Sequence, residues 1–334
     1  MLYVALFLAS WGVERAVHAR QVADLEAQHA AEVAARDARV AAAVAVVNGV
    51  RDARAQVVAL RTAEQDAVAS ATAAAESARA VASAAPWLAV QTAVVGPDMD
   101  PAAIARRYNL SVDELAALNP DKPLDAARDG DRLVVYHRDP ATPPESRGRP
   151  NRGRLVYGVP MPEGDHWIVR NPAYAYGTDE TITELVRGFT HVATVMPGAP
   201  TPMIGDVSRR HGRAFPPHRS HQSGRDVDFA FYHRDPTRSN QFTYMSSQTL
   251  DVERQWELFR YWYERGVLEY LFVDYRLIRA LRRHAIERGE SEAMLNEMFG
   301  PNGGGGIMRH SPGHANHVHV RFTCGEGDAT CRSY

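Results

Sequence analysis

The chain has 334 residues, 45% of them hydrophobic and 23% charged, which gives room for two or three globular domains. Its formal net charge of −2 argues against a nucleic-acid binder, which needs a strongly basic face. Two cysteines and no C-x-x-C pair exclude a cysteine-rich zinc site.

Met1 to Val13 are mostly apolar and uncharged, but a bilayer span needs about 20 such residues, and Glu14 and Arg15 interrupt the run. The length suits a secretory h-region. Val17-His18-Ala19 resembles a small-residue cleavage site, although a basic n-region is missing. Residues 1–19 therefore read as a signal segment or an imperfect membrane anchor, and point to export. Residues 20–85 contain no proline and are dominated by alanine with interspersed Arg, Glu, Gln and Asp, a strong helix composition. Val33, Val40 and Val47 keep a seven-residue spacing and Val44 adds a second seam position. The expectation is one long helix or loose coiled coil, with self-association through it, ending at Pro86.

A compact unit comes next, over residues 94–136. Ile104 and Tyr108 share a helical face. Ser111 caps a second helix with Glu114 in the capping-box position and Leu115 and Leu118 on the buried side. Asp129-Gly130 forms a turn, and Leu133 to Val135 a short strand. Strand, helix, helix, strand in about 43 residues is too small for an enzyme and suits a binding module. Residues 137–153, with four prolines and several arginines, read as a linker. Residues 154–334 are long enough for a catalytic domain. Within them the dense aromatics from Val252 to Tyr275 fall at near-helical spacing and predict core packing.

Six of the 14 histidines fall in two short stretches. The first runs from His218 and His221 through Asp226 and Asp228 to Tyr232. The second holds His310, a surface residue in this reading, then His314, His317 and His319. Both end in period-two alternation. Val227, Phe229 and Phe231 share one face of a strand, with Asp226 and Asp228 on the other. Val318, Val320 and Phe322 oppose His317, His319 and Arg321. If the strands are neighbours, imidazoles and carboxylates converge on one point, a donor set suited to Zn²⁺. The chain lacks His-Glu-x-x-His and Gly-x-Ser-x-Gly, which excludes a helix-based zincin and argues against an α/β-hydrolase. Cys324 and Cys331 suit a small disulfide loop in an oxidising compartment, or stay as two thiols.

These residues carry two resemblances. Ile104 to Pro120 and Asp129 to Val135 resemble the helical core and last strand of a LysM domain, a family that binds glycans containing N-acetylglucosamine. The family's opening motif is replaced by Gly96-Pro-Asp-Met-Asp100. Ile204-Gly205-Asp206, the stretch from His218 to Asp228 and that from His314 to Arg321 resemble the penicillin-insensitive murein endopeptidases, over about Gly158 to Cys324. They belong to the wider group of lysostaphin-type, D-Ala-D-Ala and hedgehog-like metallopeptidases.

The second resemblance implies His221, Asp228 and His319 as ligands of one Zn²⁺, His317 as base, and His314 and His218 as supporting histidines. Asp226 is the candidate to orient a ligand imidazole. The implied fold is α+β, a small antiparallel sheet carrying the zinc site and flanked by helices, preceded by the LysM-like unit and the Ala-rich helix. The implied protein is a periplasmic or envelope enzyme that cuts D-Ala–meso-diaminopimelate cross-links in peptidoglycan. Its rivals are a zinc D-Ala carboxypeptidase and a non-catalytic peptidoglycan-binding adaptor.

Overall fold

The computed structural model describes residues 2–84, 88–139, 142–301 and 305–333. The side chains of residues 1–19, 21–23, 67 and 69–84 are outside that description, so the readings of Met1 to Val13 and of the cleavage site fall there, and the stop at Pro86 lies outside the described residues. The chain divides into residues 1–69 and residues 70–334.

The first unit lies within one helix, α1 (Leu2–Ala84). Its alanines and straight-chain polar residues favour helix without any tertiary packing. Val40, Val44 and Val47 are 56%, 53% and 54% exposed, so the apolar seam is uncovered in the single chain. Among the described residues no helix is long and apolar enough to cross a membrane.

The second unit is an α+β assembly. After the end of α1 come β1 (Val90–Val94), α2 (Pro101–Arg107), α3 (Val112–Leu118) and β2 (Arg132–His137), the two strands antiparallel. Asp100 caps α2, and Ser111 and Glu114 form a complete capping box on α3. Ile104, Leu115 and Leu133 are fully buried in a small separate core.

The stretch expected to be a linker is instead partly folded. Strands β3 (Glu145–Arg149) and β4 (Arg152–Val156) make an antiparallel hairpin. Its arginines and glycines carry no alternation of apolar residues, so the sequence pattern hides it. The C-terminal tail supplies the missing partner: Gly148 N donates to Thr330 O (3.1 Å), Arg332 N to Gly148 O (3.0 Å) and Ser146 N to Asp328 Oδ1 (3.0 Å). A Cys324–Cys331 disulfide closes that tail. The βααβ unit also packs on residues of the larger C-terminal region. Gln91 Nε2 donates to Pro160 O (2.8 Å), Tyr176 Oη to Tyr108 O, and Arg210 pairs with Glu114 (2.7 Å).

After two short pairing strands, β5 (Val159–Pro160) and β7 (Tyr176–Gly177), the main sheet assembles six strands in the order β11-β10-β12-β9-β8-β6. These are β6 (Ile168–Val169), β8 (Met203–Ile204), β9 (Asp226–Phe229), β10 (Leu268–Val273), β11 (Met308–His310) and β12 (Val318–Phe322). The pairs β10–β12, β12–β9 and β9–β8 are antiparallel, while the outer pairs β10–β11 and β6–β8 are parallel.

Helices α4 (Asp179–Val195), α5 (Val252–Glu264), α6 (Tyr275–Glu287) and α7 (Glu292–Phe299) accompany the sheet. The aromatic run is split by the tight turn at Gly266 (φ +67°) into α5 and β10. Trp256, Phe259 and Trp262 are fully buried in the same core as Val227, Phe229, Val318 and Val320. That core fills one face of β9 and β12 and leaves the other to the polar residues.

Candidate metal centre

Strands β9 and β12 are neighbours, and their register sets His319 opposite Asp228 and Arg321 opposite Asp226. Directly opposed residues project from the same face of a sheet. The alternation that buries Val227, Phe229, Val318 and Val320 therefore gathers two carboxylates, an imidazole and a guanidinium on the opposite face.

Asp226 is fully buried at the base of this group. Its Oδ1 accepts from His319 Nε2 (2.7 Å) and from Arg321 Nε (2.8 Å). Burial opposes its charge, but His319 and Arg321 outweigh burial and hold the carboxyl well below the usual range. The bond fixes the His319 tautomer: Nε2 carries the proton, and Nδ1 turns to Asp228 Oδ1 at 3.4 Å.

His221 is held in the same manner from a loop. Its backbone has φ +63°, a left-handed conformation unusual for histidine and of the kind concentrated at functional sites. Nδ1 donates to Val207 O (3.0 Å), which leaves Nε2 facing Asp228 Oδ1 at 3.3 Å. Burial works against a charged His221 ring, yet without a metal Asp228 and Asp226 push its pKa up to about 9; a metal ion between Nε2 and Asp228 would take the place of that proton and leave the imidazole neutral.

His218 donates Nε2 to Asp206 Oδ2 (2.9 Å) and sets Nδ1 at 3.6 Å from Asp228 Oδ2. His317 donates Nδ1 to Asn316 Oδ1 (2.7 Å), and its Nε2 lies 3.8 Å from Asp228 Oδ1. Burial lowers the His317 pKa to about 4, and the neighbouring histidines His314 and His319 add to that. The His314 ring stands 4.8 Å from that of His317, with Nδ1 on Pro312 O (3.3 Å), and burial lowers its pKa as well. His310 is exposed, on β11 at the edge of the sheet.

The residues present fit a metal ion. His221 Nε2 and Asp228 Oδ1 are buried and have no hydrogen-bond partner among the described residues, an arrangement that costs free energy unless something coordinates them. His218, His221 and Asp228 each offer a ligand atom within 4.8 Å of one another, and His319 Nδ1 faces the same carboxylate. Neutral imidazole and carboxylate suit zinc among the common ions.

Two contributors carry no role in the sequence reading. Asp206 appears in the Ile204-Gly205-Asp206 motif, and the structure gives it a function: it bridges His218 to Arg170, whose Nη2 lies 2.7 Å from Asp206 Oδ1. Phe242 comes from an irregular loop, and a single aromatic there carries no periodic signal. Its ring stacks on His317 (5.0 Å between centroids, 20° between planes), with Arg170 on the ring at 5.2 Å. Gly205 makes the space, since a Cβ there would meet Phe242 Cζ at 2.5 Å.

The site opens into a cleft of about 1030 Å³. A cluster of oriented imidazoles and carboxylates in such a cleft is the equipment of a hydrolase. Residues 146–264, about a third of the chain, match the family model of penicillin-insensitive murein endopeptidases. The matched segment contains His218, His221, Asp226 and Asp228 and ends before the second histidine stretch. No curated protein matches the chain significantly. The match supports a peptidase that hydrolyses peptidoglycan in the cell envelope.

Proposed function

We propose that the chain is a zinc-dependent murein endopeptidase that hydrolyses the D-Ala–meso-diaminopimelate cross-link. The observation that carries the metal reading is the pair of buried, unpartnered atoms, His221 Nε2 and Asp228 Oδ1, 3.3 Å apart, with His319 Nδ1 turned to the same oxygen.

His221, Asp228 and His319 are assigned as the ligands. His319 is assigned as the third because it lies directly opposite Asp228 in the β9–β12 register and its far nitrogen is fixed by Asp226, the more deeply buried carboxylate; His218, whose far nitrogen is held by Asp206, is the competing candidate. Held by these three residues, zinc would supply a Lewis acid and would lower the pKa of water towards about 7.

The remaining chemistry belongs to the chain's own side chains. Burial keeps His317 neutral at pH 7, and Asn316 occupies its Nδ1–H, so Nε2 is free to take a proton from the attacking water. The same nitrogen then returns the proton to the departing amine. Phe242 holds the ring in plane. His218, oriented by Asp206, is assigned the electrostatic role at the developing oxyanion. His314 is the weaker choice for it, because its Nδ1–H is spent on Pro312 O and burial opposes a charge.

The βααβ unit is proposed as a LysM-like glycan-binding module, and α1 as a spacer that self-associates along its exposed valine seam in an exported, envelope-located protein. Its attachment to the membrane would lie in the first 19 residues.

Metal analysis of purified variants tests the ligand set. His221→Ala, Asp228→Ala and His319→Ala should each lose most of the zinc, with His218→Ala retaining it. Full occupancy in the first three would remove the assignment.

A further inference from the structure

The register that builds the metal centre continues beyond it. Asp228 on β9 is opposite His319 on β12, His319 is opposite Phe272 on β10, and Phe272 is level with Arg309 on β11. These four residues form one row across four strands and face the same side of the sheet. Arg309 thus lies two strand spacings from His319, roughly 10 Å. Its guanidinium sits over the Tyr270 ring at 3.9 Å, and its Nε donates to Gly306 O at 3.3 Å.

The cleft has an unusual charge balance. Four arginines line it, Arg170, Arg219, Arg309 and Arg321, against the two carboxylates of Asp206 and Asp228, in a chain whose formal net charge is −2. Two of those guanidiniums are occupied structurally: Arg170 pairs with Asp206 and Arg321 with Asp226. Arg309 has no carboxylate partner among the described residues, is exposed to the cleft, and is held in place by an aromatic face. A ring-stacked guanidinium loses little freedom on binding and presents a fork that matches a carboxylate.

We propose that Arg309 determines specificity by binding a substrate carboxylate on one side of the scissile amide. This inference rests on the endopeptidase reading and deepens it. In the proposed cross-link, the carbon that bears the acylated nitrogen of diaminopimelate also bears a carboxylate. That group lies two bonds beyond the amide nitrogen. With the scissile carbonyl at the metal centre, it extends towards one wall of the cleft. Arg309 lines that cleft on the β11 side of the His319–Phe272 row.

The test uses two cross-linked muropeptide dimers that differ only at this group, one with the free carboxylate and one with a carboxamide. The full-length zinc-loaded enzyme should cleave the carboxylate dimer about 10- to 100-fold more efficiently, the size expected for a charge-assisted hydrogen bond. Arg309→Gln should retain its zinc, lose most of its efficiency on the carboxylate dimer through KM, and treat the two dimers alike. Arg309→Lys should recover part of the preference. Equal cleavage of both dimers by the unaltered enzyme, or preference undiminished in Arg309→Gln, would overturn the inference and leave the endopeptidase reading standing. Cleavage of neither dimer by the zinc-loaded enzyme would overturn both.

Discussion

Asp226 Oδ1 accepts a hydrogen bond from His319 Nε2 at 2.7 Å while the next residue but one on its strand, Asp228, faces His319 Nδ1 at 3.4 Å. One imidazole is thus held between two carboxylates of the same strand, and the fully buried one decides which nitrogen is bare. Asp226→Asn keeps the shape but removes the charge that favours an Nε2–H on His319. Zinc affinity in a competition titration should fall by about 10- to 100-fold, the usual effect of removing a carboxylate behind a ligand histidine. Unchanged affinity would mean that the Arg321 pairing is the whole role of Asp226.

Phe242 is expected to act on rate through His317. Phe242→Ala removes a stacked ring pair of the kind that contributes about 1 kcal/mol, so kcat should fall by about fivefold or more. Zinc content should be unaltered and Phe242→Tyr should recover most of the rate. A loss of zinc in Phe242→Ala would show that the ring supports the metal centre instead.

A separate prediction concerns acid stability away from the site. Burial raises the pKa of Glu257, but His191 at 2.8 Å and Arg260 outweigh burial and bring it to about 2. An unfolded glutamate titrates near 4.3. The folded protein therefore binds fewer protons at this group, and its contribution is complete above about pH 4.5. It is lost as pH falls from there towards 2. The melting temperature of Glu257→Gln should lie below that of the unaltered protein at pH 7, and the gap should narrow as pH is lowered from 4.5 to 3. A gap independent of pH would assign Glu257 a purely steric role.

Much of the site is legible in the sequence because strand alternation is local. Val227 and Phe229, with Val318, Val320 and Phe322, mark the buried faces of β9 and β12, and the acids and imidazoles must then share the other faces. The capping box of Ser111 and Glu114 is legible for the same reason. What the sequence hides is long-range. The β3–β4 hairpin depends on the C-terminal tail, 182 residues away at the Ser146–Asp328 contact. Phe242 reaches His317 from a loop without periodicity, and Arg309 joins the row only through the parallel pairing of β10 with β11. The contact of Glu114 with Arg210 likewise joins the βααβ unit to the loop before His218, across a stretch whose prolines and arginines read as a spacer.

In the proposed mechanism a metal-activated water, with no acyl-enzyme, opens a peptide cross-link. The most direct measurement is mass analysis of purified cross-linked muropeptide dimers after incubation with the full chain, alone, with penicillin and with a zinc chelator. A β-lactam acts by acylating a nucleophilic serine, and the proposed mechanism uses none. Monomers should appear as products, undiminished by penicillin and abolished by the chelator. Free D-alanine released from dimers left intact would make the enzyme a carboxypeptidase, and cleavage that survives the chelator or stops with penicillin would contradict the mechanism.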